Sequence, residues 1–122
     1  MPLYGVSPPI GLSPGQQMVL FAGESLTAPQ ASQVFSRGPS PSLSDQGITF
    51  FMQFASSPTR SLLILGSNKL PAATFTSGDW ITLATSSNKQ VDSYTDTTRY
   101  TFYCAYLASQ SGGGALTVNA QR

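Results

Sequence analysis

An all-β fold is what this sequence predicts: an antiparallel β-sandwich of about eight short strands, immunoglobulin-like or jelly-roll, behind an extended proline-rich N-terminal arm. Three observations predict it. Apolar residues recur with period two in several short segments, and Gly, Pro, Ser, Asn and Asp clusters separate those segments. No segment carries a sustained helical period with caps, and Pro29 limits the span 24–33 to one helical turn at most. The chain has 122 residues, of which 40% are hydrophobic, enough for one domain with a packed interior.

The elements follow in order. Residues 1–16 form the arm, and residues 17–122 the sandwich domain. Pro2, Pro8, Pro9 and Pro14, with Gly5, Gly11 and Gly15 between them, disfavour helix and central strand and suit irregular extended chain. Leu3, Tyr4, Val6, Ile10 and Leu12 give the arm an apolar component that a purely solvated tail does not need. They are the expected partner-binding residues, docking on a neighbouring protein or on the chain's own domain; a disordered terminus is the alternative. Deleting 1–16 is accordingly expected to weaken assembly and leave melting nearly intact.

Met18, Val19, Leu20, Phe21 and Ala22 make a compact apolar strand, and 32–37 a weaker one around Val34 and Phe35. A turn-rich loop leads to 48–55, the clearest strand. There Ile48, Phe50, Met52 and Phe54 share the face expected in the core, and Thr49, Phe51, Gln53 and Ala55 share the other. After the turn at 56–59, residues 61–65 are expected to return antiparallel to that strand. A short strand is expected over 72–76, then a tight turn at 77–79. Over 80–85, Ile81 and Leu83 are expected on one face, with Trp80, Thr82 and Ala84 on the other. Residues 86–98 are almost wholly polar and read as a long loop.

Residues 99–108 read as the longest strand. Tyr100, Phe102, Cys104 and Tyr106 alternate with Thr101, Tyr103, Ala105 and Leu107, so both faces carry large groups. That suits a central strand covered on both sides, or one with a face in an interface. Gly112, Gly113 and Gly114 connect to a last strand with Leu116, Val118 and Ala120 in period two.

Chemistry is scarce. The chain has no histidine and one cysteine, which removes the usual general base, the usual zinc ligands and any intrachain disulfide. Cys104, mid-strand between large side chains, reads as a small core hydrophobe. The acids are Glu24, Asp45, Asp79, Asp92 and Asp96. Asp92 and Asp96 share the polar segment and read as solvated or turn-forming carboxylates. A calcium site or an acid/base pair is the sharper alternative, but the dense Asp/Asn/Gly spacing of a calcium loop is missing. The triple glycine lacks the Lys-Ser/Thr ending of a phosphate loop. Trp80 with Tyr94, Tyr100, Tyr103 and Tyr106 reads as core or subunit contact, the alternative being a platform for sugars or single-stranded nucleic acid. The expectation is a non-enzymatic protein without cofactor or metal.

Charge is the unusual quantity. Charged residues are 9% of the chain and its net charge is +1, against ~25% charged residues in ordinary domains. A Ser/Thr/Asn/Gln surface repels neighbours weakly and suits a protein packed against others. The basic residues, Arg37, Arg60, Lys69, Lys89, Arg99 and Arg122, are scattered, which argues against nucleic acid. The N-terminus reads as neither a secretory signal nor a membrane anchor, and the run from Leu62 to Leu65 is far too short to span a bilayer.

The stretch Ser77-Gly78-Asp79-Trp80-Ile81-Thr82-Leu83, then Asp92-Ser93-Tyr94-Thr95-Asp96, then Arg99-Tyr100-Thr101-Phe102-Tyr103 resembles β-sandwich modules of tailed-bacteriophage structural proteins. In these a "G-x-W-apolar" strand precedes a "Y/F-T-D" loop, an "R-Y" strand and a Gly-punctuated final hairpin. The resemblance covers roughly residues 47–121. It implies a virion protein assembled in the host cytoplasm, a capsid decoration or cement protein. Its partners would be the major capsid protein or other virion proteins, and its own state a dimer or trimer. The alternative it allows is a receptor- or carbohydrate-binding module of a head or tail fibre. The paired cysteines and Tyr-x-Cys spacing of an immunoglobulin domain are missing, since Phe102 lies two before Cys104, so a jelly roll stays open.

Overall fold

Alternating segments bounded by turn residues become strands because period two puts one row of side chains on each face. The computed structural model describes residues 10–12, 15–25, 29–37, 47–54, 60–68, 80–87, 90–98, 100–110 and 115–122. Among them are ten strands: β1 (Ile10–Leu12), β2 (Gln17–Ser25), β3 (Gln30–Ala31), β4 (Phe35–Arg37), β5 (Ile48–Phe54), β6 (Arg60–Ser67), β7 (Ile81–Ser86), β8 (Val91–Asp96), β9 (Phe102–Gln110) and β10 (Ala115–Gln121). The fold class expected from the sequence is the one observed, an all-β sandwich. The strand expected over 72–76, the turn at 77–79 and the triple-glycine connection lie outside the described residues.

Two sheets face each other. The first has the order β1-β4-β9-β6-β7, with β3 also on β9; the second has the order β2-β10-β5-β8. The pairings are antiparallel except that of β1 with β4, which is parallel.

The core fills the gap between them. Ile48, Phe50, Met52 and Phe54 point inward from β5 as their alternation requires, and Leu116, Val118 and Ala120 do so from β10. Leu62 and Ile64 of β6 and Tyr103, Ala105 and Leu107 of β9 meet them from the other sheet. Phe50 lies 6.1 Å from Phe35 and 5.8 Å from Tyr103, centroid to centroid, and Phe35 stacks on Tyr103 at 5.7 Å. Such contacts add to the burial of apolar area that drives the sheets together.

Three sequence expectations are corrected. Residues 61–65 do not pair with 48–55: β6 lies between β9 and β7, in the opposite sheet from β5. The run Leu62–Leu65 is apolar at every position and fits a strand covered on both faces, whereas β5 has one polar face and fits a sheet open to water on one side. The segment 86–98 is not a long loop, because β8 pairs with β5 over six positions. Over 80–85 strict alternation fails. Ile64 pairs with Ala84 and Leu65 with Thr82, so Leu83 is an unpaired bulge residue and both Leu83 and Ala84 pack on the core.

Bulges also shape β2. Val118 pairs with Phe21 and Asn119 with Val19, so Leu20 is extra, and Leu20 and Phe21 are consecutively buried. Gly23 is the second extra residue and adopts φ 78°, a conformation that favours glycine.

β9 is covered on both sides, the first of the two arrangements its sequence allowed. Opposite its core face, Cys104 lies fully buried in a second cluster with Val34, Leu65 and Trp80. Phe102 and Tyr106 pack partly buried against that cluster.

Candidate functional site

The outer face of the second sheet is polar by sequence pattern, interrupted by the Phe51 ring and by the exposed Val19 and Val91. Thr49, Phe51 and Gln53 are the outward residues of β5. Phe51 pairs with Asn119 of β10 on one side and Ser93 of β8 on the other, and Asn119 pairs in turn with Val19 of β2. A neighbouring row runs Thr117, Gln53, Val91. The third runs Gln121, Thr49, Thr95, where the two threonine hydroxyls are 2.9 Å apart.

Phe51 is 46% exposed, well outside the core that holds Phe50 and Phe54. It lines two shallow depressions. One, of about 550 Å³, is bordered by Met52, Gln53, Val91, Asp92, Ser93, Thr117 and Asn119; the other, of about 380 Å³, by Gly47, Thr49, Thr95, Gln121 and Arg122. The ring is thus a ridge between two hollows that mix hydroxyl and amide groups with apolar side chains and one charged residue each.

One charged residue borders each hollow. Asp92 accepts a hydrogen bond from the Ser93 N–H at 2.9 Å. Arg122 at the opposite end donates from Nη1 to the Leu12 carbonyl at 2.8 Å. Its backbone ties to Gly15 and Gln16 at 2.9 and 3.0 Å, so the chain's end clamps the base of the N-terminal arm.

The second polar feature is internal. Asp96 is buried at 1% exposure, not solvated as expected. It accepts hydrogen bonds from the Tyr103 hydroxyl at 2.6 Å and the Tyr94 hydroxyl at 3.1 Å. The Tyr103 oxygen in turn accepts the Tyr100 N–H at 2.9 Å. Burial, followed by the hydrogen bond to Asp96, pushes the Tyr94 phenol above its ordinary value. This node ties β8 to β9 across the sandwich.

Of the expected partner-binding residues, Leu3, Tyr4 and Val6 lie outside the described residues. Ile10 and Leu12 belong to β1, and Leu12 is buried in the chain's own core at 1% exposure, because β1 adds to the edge of the first sheet beside β4. Asp92 and Asp96 lie four positions apart on β8, about 13 Å of strand, and do not converge. Among the described residues no group of three or more His, Cys, Asp or Glu is placed to hold a metal. Cys104 is buried as expected, and desolvation raises its thiol pKa far above the usual range. The aromatics Trp80, Tyr94, Tyr100, Tyr103 and Tyr106 form no surface platform; each packs in or against one of the two hydrophobic clusters. Among the described residues the exposed aromatic is Phe51. Its position opposite Phe50 and Met52 in an alternating strand was the available signal.

The fold is similar to that of the SPBc2 prophage-derived protein YomS. The match has a TM-score of 0.51 at 12% sequence identity and covers 86% of this chain and 92% of YomS. Similarity to YomS at that identity is similarity of fold. No protein-family model and no curated protein matches the chain.

Proposed function

We propose that this chain is a non-enzymatic structural protein of a phage particle, a decoration or cement protein that packs on a shell of major capsid protein and strengthens it. The observation that carries this reading is a nearly uncharged sandwich, 9% charged residues, with a fold shared with a prophage-derived protein. Two of the basic residues are turned to internal use. Arg60 is 2% exposed with its guanidinium 3.1 Å over the Phe54 ring, and Arg122 holds the Leu12 carbonyl. Neither contributes to a basic stripe of the kind nucleic-acid binders use. The absence of histidine from the sequence and the separation of Asp92 from Asp96 favour binding over catalysis.

In this reading Leu12 and Arg122 anchor the arm to the domain, and Leu3, Tyr4 and Val6 supply its apolar contacts to the shell. A dimer or trimer on the virion surface would repeat those contacts and raise avidity. The test is to prepare particles with and without the protein. The protein should sediment with assembled particles, and particles lacking it should break at lower temperature or with less chelator. Equal robustness of the two preparations removes the cementing role.

A further inference from the structure

We infer that the outer face of the β2-β10-β5-β8 sheet binds a neutral oligosaccharide, with Phe51 as its stacking ring. Three properties of the face select that ligand. The first is the ring. Phe51 stands half-exposed between two hollows, so a pyranose lying in either can set its C–H groups against an aromatic face.

The second is how little charge the face carries, since one charged residue borders each hollow, Asp92 the first and Arg122 the second. Gln53, Ser93 and Thr117 around one hollow, and Thr49, Thr95 and Gln121 around the other, offer hydroxyls and amides that both donate and accept. A phosphate or an acidic chain needs cations, and a cationic ligand needs carboxylates. Asp92, which also borders the first hollow, already accepts the Ser93 N–H with one oxygen, and Arg122 is held by the Leu12 carbonyl. Neutral donors and acceptors complement a neutral polyol.

The third is size. Four strands of six to nine residues cover roughly 19 by 24 Å of flat sheet, on the order of 450 Å², against ~800 Å² of accessible surface per partner in a stable protein interface. A face of that extent has room for a short oligosaccharide, whereas a second copy or another protein would also draw on surface beyond it. The inference is independent of the particle reading: saccharide affinity is measured on the isolated chain, without particles.

The experiment is an NMR titration of the full chain with neutral oligosaccharides of glucose, galactose, mannose and N-acetylglucosamine. Saturable shifts are expected at Phe51, Gln53, Ser93 and Thr117 for at least one of them. Phe51→Ala should weaken that binding about tenfold or more, with the unfolding midpoint unchanged. Gln53→Ala, also on an exposed position, provides a second variant with the same expected direction. Absence of saturable shifts on this face with every sugar up to about 20 mM, shifts confined to other surfaces, or full affinity in both variants overturns the inference.

Discussion

Asp96 illustrates what a single side chain requires of its neighbours. A carboxylate taken out of water is costly unless hydrogen bonds replace its hydration, and bonds to an ionised acceptor are the strong ones. Tyr103 and Tyr94 supply them. Tyr103→Phe keeps the ring stack with Phe35 but removes the shorter bond, and should cost about 1–3 kcal/mol of unfolding free energy. Urea unfolding checks this, and a change below about 0.5 kcal/mol would mean that the node is not structural. The buried thiol gives a second prediction. Cys104 has its pKa raised in the folded chain, so it stays protonated there while the unfolded chain releases the proton above about pH 8.5. The unfolded state then binds fewer protons, and stability falls with rising pH by about 1.4 kcal/mol per unit. It is fully present below about pH 8.5. Tyr94, raised in the same direction, adds a loss beginning near pH 10. Cys104→Ala should flatten the slope between about pH 8.5 and 10, whatever it does to stability at pH 7. An unchanged slope would assign the alkaline loss to other groups.

Short elements at the margins carry more of the fold than their lengths suggest. β5 enters through Gly47 at φ 97°, and a Cβ there would collide with the Asp96 carbonyl of β8. Gly47→Ala should therefore destabilise the β5–β8 pair by several tenths to about 2 kcal/mol, with amide exchange accelerating first along β8. Retained protection on β8 would show that the backbone absorbs the change. β1 has three residues, yet it places Leu12 in the core and is tied down by Arg122. The expectation that 1–16 can be removed with little change in melting is reversed by that burial. Deletion of 1–12 should cost about 2–5 kcal/mol in urea unfolding, as for loss of a buried leucine, and an unchanged midpoint would show that Leu12 is dispensable to the core. The sequence was legible where one face was apolar and one polar. β5 and β10 were read with their core faces correct, and the same alternation put Phe51 outside. It was illegible at β8, whose inward positions are Asp92, Tyr94 and Asp96, so that burial of Asp96 depends on the hydroxyls of Tyr94 beside it and of Tyr103 on β9. It was misleading at β6, because an apolar run does not say which sheet covers it. At β2 and β7 bulges break the period, and nothing local to the sequence marks Leu20 or Leu83 as the extra residue.

For the whole molecule, the decisive contrast is between the outer faces of the two sheets. The first sheet has apolar residues beyond its core face, with Val34, Leu65, Trp80 and Cys104 buried there. The second presents hydroxyls and amides around Phe51. Neither pattern relies on charge, and the chain's net charge is +1. Association driven by such surfaces gains little from long-range attraction and loses little to screening. Binding of the protein to phage particles should therefore change by no more than about threefold between 50 and 500 mM salt, measured by co-sedimentation at fixed particle concentration. A protein that neutralises several phosphates would instead lose affinity by orders of magnitude over that range, since each released counterion enters the salt exponent. A steep loss with salt would place Arg37, Lys69, Lys89 and Arg99 at the interface, and would replace neutral packing with electrostatic attachment as the physical basis of binding.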